Sequence, residues 1–218
     1  MQRFSNVISF ITHPIFIVIY SFIIYFKMDT FYNEMLFLAA PNVYWLLLGF
    51  LLMMVVFFPI LTLFIMHRNK TISSFSIPNR KERLPVLFFT ITYYAMTYYI
   101  FRHWNETLLS LLNPYISFLF GGLILLILLF LITSFWKISL HSASISALSG
   151  GIMAFTLSIG EINNLKVIML INTGLLFLIG MVCFSRLFLK AHSFSQVLSG
   201  VVLGFSLMFI LVYFQFKV

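Results

Sequence analysis

Three separated stretches of the sequence hold most of the residues that could do chemistry. They are 79–85 (NRKERLP), 136–144 (WKISLHSAS) and 185–196 (SRLFLKAHSFSQ). Together they contain two histidines, a single acid, and the cations Arg80, Lys81, Arg83, Lys137, Arg186 and Lys190. A cation cluster with so little counter-charge predicts an anionic ligand. Phosphate suits arginine best, because a guanidinium makes paired, charge-assisted hydrogen bonds to it.

The spacing within each stretch supports convergence on one anion. Arg80 and Arg83 are three residues apart and share a face if this stretch is helical. His192 and Gln196 are four apart and can touch on one helix. Free backbone N–H groups at a helix start near His141 would add to anion binding.

The ordered trio of stretches resembles the lipid-phosphate phosphatases of the type 2 phosphatidic acid phosphatase and haloperoxidase superfamily. That family's pattern reads K-x6-R-P, then P-S-G-H, then S-R-x5-H-x3-D. The third motif is matched by Ser185, Arg186, His192 and, in place of the aspartate, Gln196.

The other two motifs are matched more loosely. Ser139 and His141 match the second, with Ile138 for its proline and Leu140 for its glycine. In the first, Arg83 and Pro85 stand for R-P with Leu84 inserted, and the upstream lysine is replaced by Ser76.

The resemblance implies a two-step phosphoryl transfer. His192 would attack phosphorus and form a phosphohistidine, and Gln196 would orient its ring. His141 would protonate the leaving oxygen and then activate water. The phosphoryl oxygens would be held by Arg83, Arg186, Arg80 or Lys81, and the Ser139 hydroxyl. Splitting one displacement into two lowers each barrier. No metal and no other cofactor is expected, because no carboxylate cluster accompanies these motifs.

The composition predicts which elements must position these residues. The chain has 218 residues, 62% hydrophobic and 8% charged, with mean hydropathy +1.08. A soluble domain of this size could not hide so much apolar surface, which excludes a soluble enzyme and a nucleic-acid module. We expect an all-α polytopic membrane helix bundle of about six to seven transmembrane helices, because lipid leaves the backbone no partners outside the segment. We expect one domain over 1–218, with a phosphatase-like core at about 79–216.

Seven apolar runs are long enough to cross a bilayer: 7–26, 43–66, 84–101, 114–135, 138–159, 167–184 and 197–216. If all seven runs cross the membrane, nine Lys and Arg residues lie on the same side of it as the three stretches, and four lie on the opposite side. The positive-inside rule therefore predicts a cytoplasmic site in a multi-pass protein of a bacterial inner membrane.

The expected partners are membrane lipids and a lipid phosphate substrate: phosphatidate, phosphatidylglycerol phosphate or polyprenyl diphosphate. Two other functions stay open. One is a catalytically silent relative that binds or flips anionic lipids, favoured by Gln196; the other is a small transporter with an anion gate. His13, His67 and His103 lie away from the cluster of cations or outside any motif and are expected to be structural.

Overall fold

The chain folds as an α-helical bundle. The computed structural model describes residues 1–75, 77, 79–103, 110–158 and 164–216. Within these ranges there is no β-strand, and six helices are long and apolar enough to cross a membrane. A bent helix pair at the N-terminus brings the number to seven if it counts as one span. The prediction of an all-α polytopic bundle is confirmed.

Ten α-helices are described, with one π-helical and one 3-10 segment among them. They are α1 (Gln2–Ile11), α2 (Pro14–Phe26), α3 (Phe31–Ala39), α4 (Val43–Leu51), the π-helical Leu52–Phe57, α5 (Phe58–Arg68), α6 (Arg80–His103), the 3-10 turn Ser110–Leu112, α7 (Asn113–Phe135), α8 (Leu140–Ser158), α9 (Leu165–Phe188) and α10 (Phe194–Tyr213). From α4 to α5 the helical path is continuous, so that Val43–Arg68 forms one span.

The first predicted span is broken. We expected one helix over 7–26, whereas α1 and α2 meet at a bend of 60°. Pro14 is the first residue of α2, where its missing N–H costs nothing, and its ring cannot continue the preceding helix. His13 caps α2, because its Nδ1 accepts from the N–H of Ile15 at 3.3 Å.

Two other helices begin at capping residues, a few positions away from the predicted apolar boundaries. At the start of α6, Asn79 Oδ1 accepts from the N–H of Lys81 at 3.2 Å. At the start of α8, Ser139 Oγ accepts from the N–H of Ser142 at 3.4 Å. The polar start of α6 lies outside the predicted apolar run 84–101, so Arg83 falls inside the helix, whereas His141 lies inside α8 as the run 138–159 predicted.

Helix α8 occupies the centre of the bundle and packs closely against α10. Most of its side chains are buried, and many are small. A Cβ added at Gly200 would lie 2.6 Å from Ser142 Oγ and 2.8 Å from the carbonyl oxygen of Ser139. Small residues at this interface let the two backbones approach, as in membrane helix pairs generally.

The outer surface is apolar and several interior positions are polar. Trp45, Leu170 and Phe177 are each about 70% exposed, while Ser117 and Ser146 are fully buried. A water-soluble protein has the reverse arrangement. The apolar exterior and six apolar helices suit an integral, multi-pass membrane protein.

Candidate active site

One cavity of about 220 Å³ brings together side chains from all three polar stretches. Four of the eight predicted site residues line it: Arg83 of α6, His141 of α8, Arg186 of α9, and His192 of the turn between α9 and α10. The helix ends therefore converge, as the spacing predicted, although three far-apart parts of the chain supply them.

His192 is held by the residue four positions later. Its side chain is only 8% exposed, and its Nδ1 lies 3.1 Å from Oε1 of Gln196. The same Oε1 accepts from the backbone N–H of Ser193 at 3.2 Å. Because a backbone N–H can only donate, the amide atom facing it must be the oxygen. That oxygen must then accept from Nδ1–H of His192, which leaves the lone pair on Nε2.

His141 is held by a residue from the far N-terminal end of the chain. Its Nε2 lies 3.2 Å from the carbonyl oxygen of Ser9, which is 132 positions away. A carbonyl only accepts, so Nε2 carries the hydrogen and Nδ1 is free to take or give a proton. The Ser144 side chain, which also lines the cavity, donates to the carbonyl oxygen of His141 at 3.1 Å.

The two cavity arginines keep donor capacity for an anion. Arg83 uses its Nε to bind the carbonyl oxygen of Ile77 at 2.9 Å. Arg186 uses its Nη1 to bind Ser9 Oγ at 3.2 Å. The Nε of Arg186 is buried and has no protein partner, and a buried donor left unpaired costs roughly 1–3 kcal/mol.

Ser139 is placed differently from the prediction that its hydroxyl holds phosphate. It is fully buried and caps α8. Its backbone N–H also donates to the carbonyl oxygen of Gln196 at 3.2 Å. The described lining of the cavity does not include Ser139. Its observed contacts fix the start of α8 against the start of α10.

The first stretch contributes one cavity residue, Arg83. Lys81 is exposed and does not line the described part of the cavity. The Arg80 side chain and Ser76 lie outside the described residues. Glu82 accepts from the N–H and Oγ of Ser73 at 2.8 and 2.9 Å. The Glu82 carboxylate is thus hydrogen-bonded to the loop that precedes α6.

The charges around His192 favour its neutral form. Burial lowers the pKa of His192 to about 4, the cations Arg186, Arg83 and Lys137 act in the same direction, and the hydrogen bond to Gln196 opposes them. Burial also lowers the pKa of Lys137, and Arg83 and Arg186 lower it further. A neutral imidazole among fixed cations is the state that a nucleophile facing phosphate requires.

His13 is a cavity residue that the sequence interpretation missed. It lines the cavity, and its ring meets that of His141 edge to face at a centroid distance of 5.3 Å. Our assignment of His13 to a position away from the cluster was wrong. The available signal was its place before Pro14, where the first apolar run must break. His67 packs on Phe75, and His103 stacks on Tyr99.

No group of three or more His, Cys, Asp or Glu side chains able to hold a metal ion occurs in the part of the chain that the structure describes. The cavity groups that could meet an anion are guanidinium and imidazole groups, which bind phosphate directly.

Comparison with known proteins agrees with the motif resemblance. A family model described as the PAP2 superfamily matches residues 130–218. No curated protein and no solved structure matches the chain. The matched segment contains the second and third motifs, with His141, Arg186 and His192, whereas Arg83 and His13 precede it. Residues 130–218 are therefore similar to the proteins of the PAP2 superfamily.

Proposed function

We propose that this protein is a lipid-phosphate phosphatase that works through a phosphohistidine on His192. The match of residues 130–218 to the PAP2 superfamily model supports a phosphatase-type function. The observation that carries the proposal is the shared cavity of Arg83, Arg186, His141 and His192. The substrate is a phosphate or diphosphate monoester on a lipid: phosphatidate, phosphatidylglycerol phosphate or polyprenyl diphosphate.

The chemistry follows from the free nitrogen of each imidazole. Nε2 of His192 attacks phosphorus while the bond to the leaving oxygen breaks and His141, protonated at Nδ1, gives that oxygen its proton. His141 then takes a proton from water, the hydroxide attacks phosphorus, and the N–P bond breaks to release inorganic phosphate. Arg83 and Arg186 hold the equatorial oxygens and stabilise the charge of both transition states.

A lipid substrate fits the rest of the cavity wall. Beyond the charged groups, the lining is dominated by apolar side chains from several helices, including Val55, Leu87, Leu125, Leu129 and Met208. Leu87 lies one helical turn beyond Arg83 on α6. A phosphate at the arginines would therefore place its lipid tail along a largely apolar wall, where a soluble sugar phosphate would find few polar contacts.

Phosphate release by the purified protein tests the proposal. In detergent micelles with a chelator and no added metal, the wild type should release inorganic phosphate from at least one of the three lipids. His192→Ala should abolish release, because no nucleophile remains. His103→Ala is the matched control, since that exposed ring stacks on Tyr99 and lies outside the described cavity lining. Unchanged release by His192→Ala would refute the mechanism.

A second candidate function is favoured by Gln196, which orients His192 but carries no charge. A silent relative that binds or flips anionic lipids would keep the cavity without needing the carboxylate. Gln196→Asp separates the two functions. The proposed phosphatase should gain activity, because a carboxylate stabilises the positive charge that develops on His192. Lipid-phosphate binding without release in either form would instead establish the binding function.

A further inference from the structure

Ser9 of α1 contacts two groups of the cavity although it belongs to none of the three motifs. Its hydroxyl meets Arg186, and its carbonyl oxygen meets His141. It also precedes the family-matched segment by more than a hundred residues. Neither the motifs nor the family match gives this residue a role.

The hydroxyl of Ser9 belongs to a hydrogen-bond chain with defined directions. Ser185 Oγ donates to the carbonyl oxygen of Ser5 at 2.8 Å, so its only hydrogen is used there. Ser9 Oγ, 2.9 Å from Ser185 Oγ, must therefore donate to it. That leaves the Ser9 oxygen as the acceptor for Nη1 of Arg186 at 3.2 Å. The chain fixes the Arg186 guanidinium at one end while its Nε stays unpaired.

The carbonyl of Ser9 acts on the other reacting group. It accepts from Nε2–H of His141 and so fixes both the ring orientation and the tautomer of that imidazole. One residue thus determines the placement of the phosphate-binding guanidinium and of the proton-transferring imidazole.

The way α1 packs explains how it can hold these contacts. Its buried face carries the small polar Ser5 together with Ile8. Its outward face carries Phe4, Val7 and Phe10, each at least half exposed. The backbone carbonyl of Ser5 and the hydroxyl of Ser9 on this helix are within hydrogen-bond distance of Ser185. The bend before α2 lets α1 lie against the end of α9 instead of continuing the line of α2.

We propose that Ser9 is a positioning residue of the phosphatase site, and that α1 acts on catalysis through it. The inference rests on the proposed function. It assigns to the N-terminal helix a task that the matched family segment does not contain: to orient Arg186 towards the phosphoryl oxygens and His141 towards the leaving oxygen.

Ser9→Ala tests the hydroxyl half of this role, because it removes the acceptor of Arg186 and keeps the carbonyl. We expect KM for the lipid phosphate, and Kd for orthovanadate measured by calorimetry, to rise about tenfold, with a smaller change in kcat. Ser9→Thr, which restores a hydroxyl, should return both values towards the wild type. Ser9→Cys should resemble Ser9→Ala, since a thiol is a weak acceptor; it carries the test if Ser9→Ala does not fold.

Ser5→Ala is the matched control. Ser5 lies one turn earlier on the same helix, is fully buried, and its own hydroxyl has no hydrogen-bond partner. Its carbonyl, which accepts from Ser185, is kept. A merely structural effect of removing a buried hydroxyl from α1 would appear equally in both variants. In an Arg186→Lys background, Ser9→Ala should add little further increase in KM, because its effect passes through the guanidinium.

The outcomes separate the two claims. If the wild type releases phosphate and Ser9→Ala behaves like Ser5→Ala in KM and in vanadate affinity, the positioning role is overturned and the phosphatase stands. If the wild type neither releases phosphate nor binds vanadate, the proposed function fails and the role of Ser9 fails with it. Selective loss in Ser9→Ala, with rescue by Ser9→Thr, supports both.

Discussion

At His192, orientation and charge are supplied by different residues. Gln196 fixes the ring through an amide oxygen that is itself fixed by the N–H of Ser193. The positive charges nearby belong to arginine and lysine, and burial together with these charges lowers the pKa of His192 and keeps the imidazole neutral. Glutamine thus preserves the tautomer that places the lone pair on Nε2, and it omits the stabilisation that a carboxylate would give to the imidazolium-like transition state.

This arrangement predicts the pH dependence of the reaction. With its pKa lowered to about 4 from the ordinary 6.5, His192 stays neutral as the pH falls from 7 to 5. Activity should not decline through protonation of His192 until the pH approaches 4. In Gln196→Asp the carboxylate raises the pKa of His192, so the acid-side loss should move to higher pH. The ratio of kcat/KM for the variant to kcat/KM for the wild type, followed between pH 4 and 7, measures this shift. Ionisation of the substrate affects both proteins equally and cancels in the ratio.

A ratio that stays flat across this range would contradict the prediction, because it would mean that residue 196 does not affect the protonation of His192. Gln215→Asp provides a control carboxylate in the same experiment. That residue follows α10 at its far end, where it lies outside the described cavity lining.

Motif spacing predicted four side chains of the cavity, and the reason is geometric. Residue intervals within one stretch fix which groups share a helix face, as for His192 and Gln196. They do not fix which way a short polar side chain turns. Ser139 serves the backbone of α8 as a cap, a use that competes with ligand binding and leaves the same sequence signature. His13 could not be placed, because its contact with His141 depends on the angle at which α1 meets α2.

At the scale of elements, the site depends on how closely α8 and α10 approach. A Cβ at Gly204 would collide with the carbonyl oxygen of Ala143 and lie 2.7 Å from Ser146 Oγ. A backbone carbonyl cannot move aside as the end of a flexible side chain can. A larger residue at this position must therefore push α8 and α10 apart. Gln196 lies at the start of α10, and its backbone carbonyl oxygen accepts a hydrogen bond from the N–H of Ser139. Separation would therefore disturb the support of His192.

We therefore expect Gly204→Ala to destabilise the protein by about 1–3 kcal/mol, the usual cost of overpacking, and to lower phosphate release. Gly174→Ala on α9 is the control, because nothing lies within 4 Å of its added Cβ. Thermal unfolding in detergent, followed by tryptophan fluorescence, measures the difference. Equal melting temperatures for the two variants would show that α8 and α10 do not require the small residue.

Helix boundaries show what hydropathy could and could not predict. Apolar runs gave the number and order of the long helices, because lipid demands about 20 apolar residues per crossing. They missed the break at Pro14, since the residues on both sides of it are apolar. They also missed the polar first turn of α6, which begins four residues before the predicted run 84–101, whereas the run 138–159 included the first turn of α8. Those turns belong to the helices because Asn79 and Ser139 satisfy backbone N–H groups there.

For the whole molecule, the remaining question is which side of the membrane the cavity faces. The exposed apolar surface is consistent with a bilayer around the bundle. The cations are not symmetric, since the seven predicted crossings place nine of the thirteen Lys and Arg residues on the side of the three polar stretches. We propose that this side is cytoplasmic, because Lys and Arg in short loops are retained there.

Asn42 and Asn69 allow a direct test, because they are exposed and flank the two ends of the span Val43–Arg68. In a Cys183→Ser background, a single cysteine at either position leaves the charge distribution unchanged. A membrane-impermeant maleimide applied to intact cells should label Asn42→Cys and not Asn69→Cys, while permeabilised cells should label both. The loop after Asn69 contributes Phe75 and Ile77 to the cavity. Labelling of Asn69→Cys in intact cells would therefore place the cavity on the outer side of the membrane, where it would meet lipid phosphates of the outer leaflet. The unequal distribution of Lys and Arg would then reflect anion binding by the site.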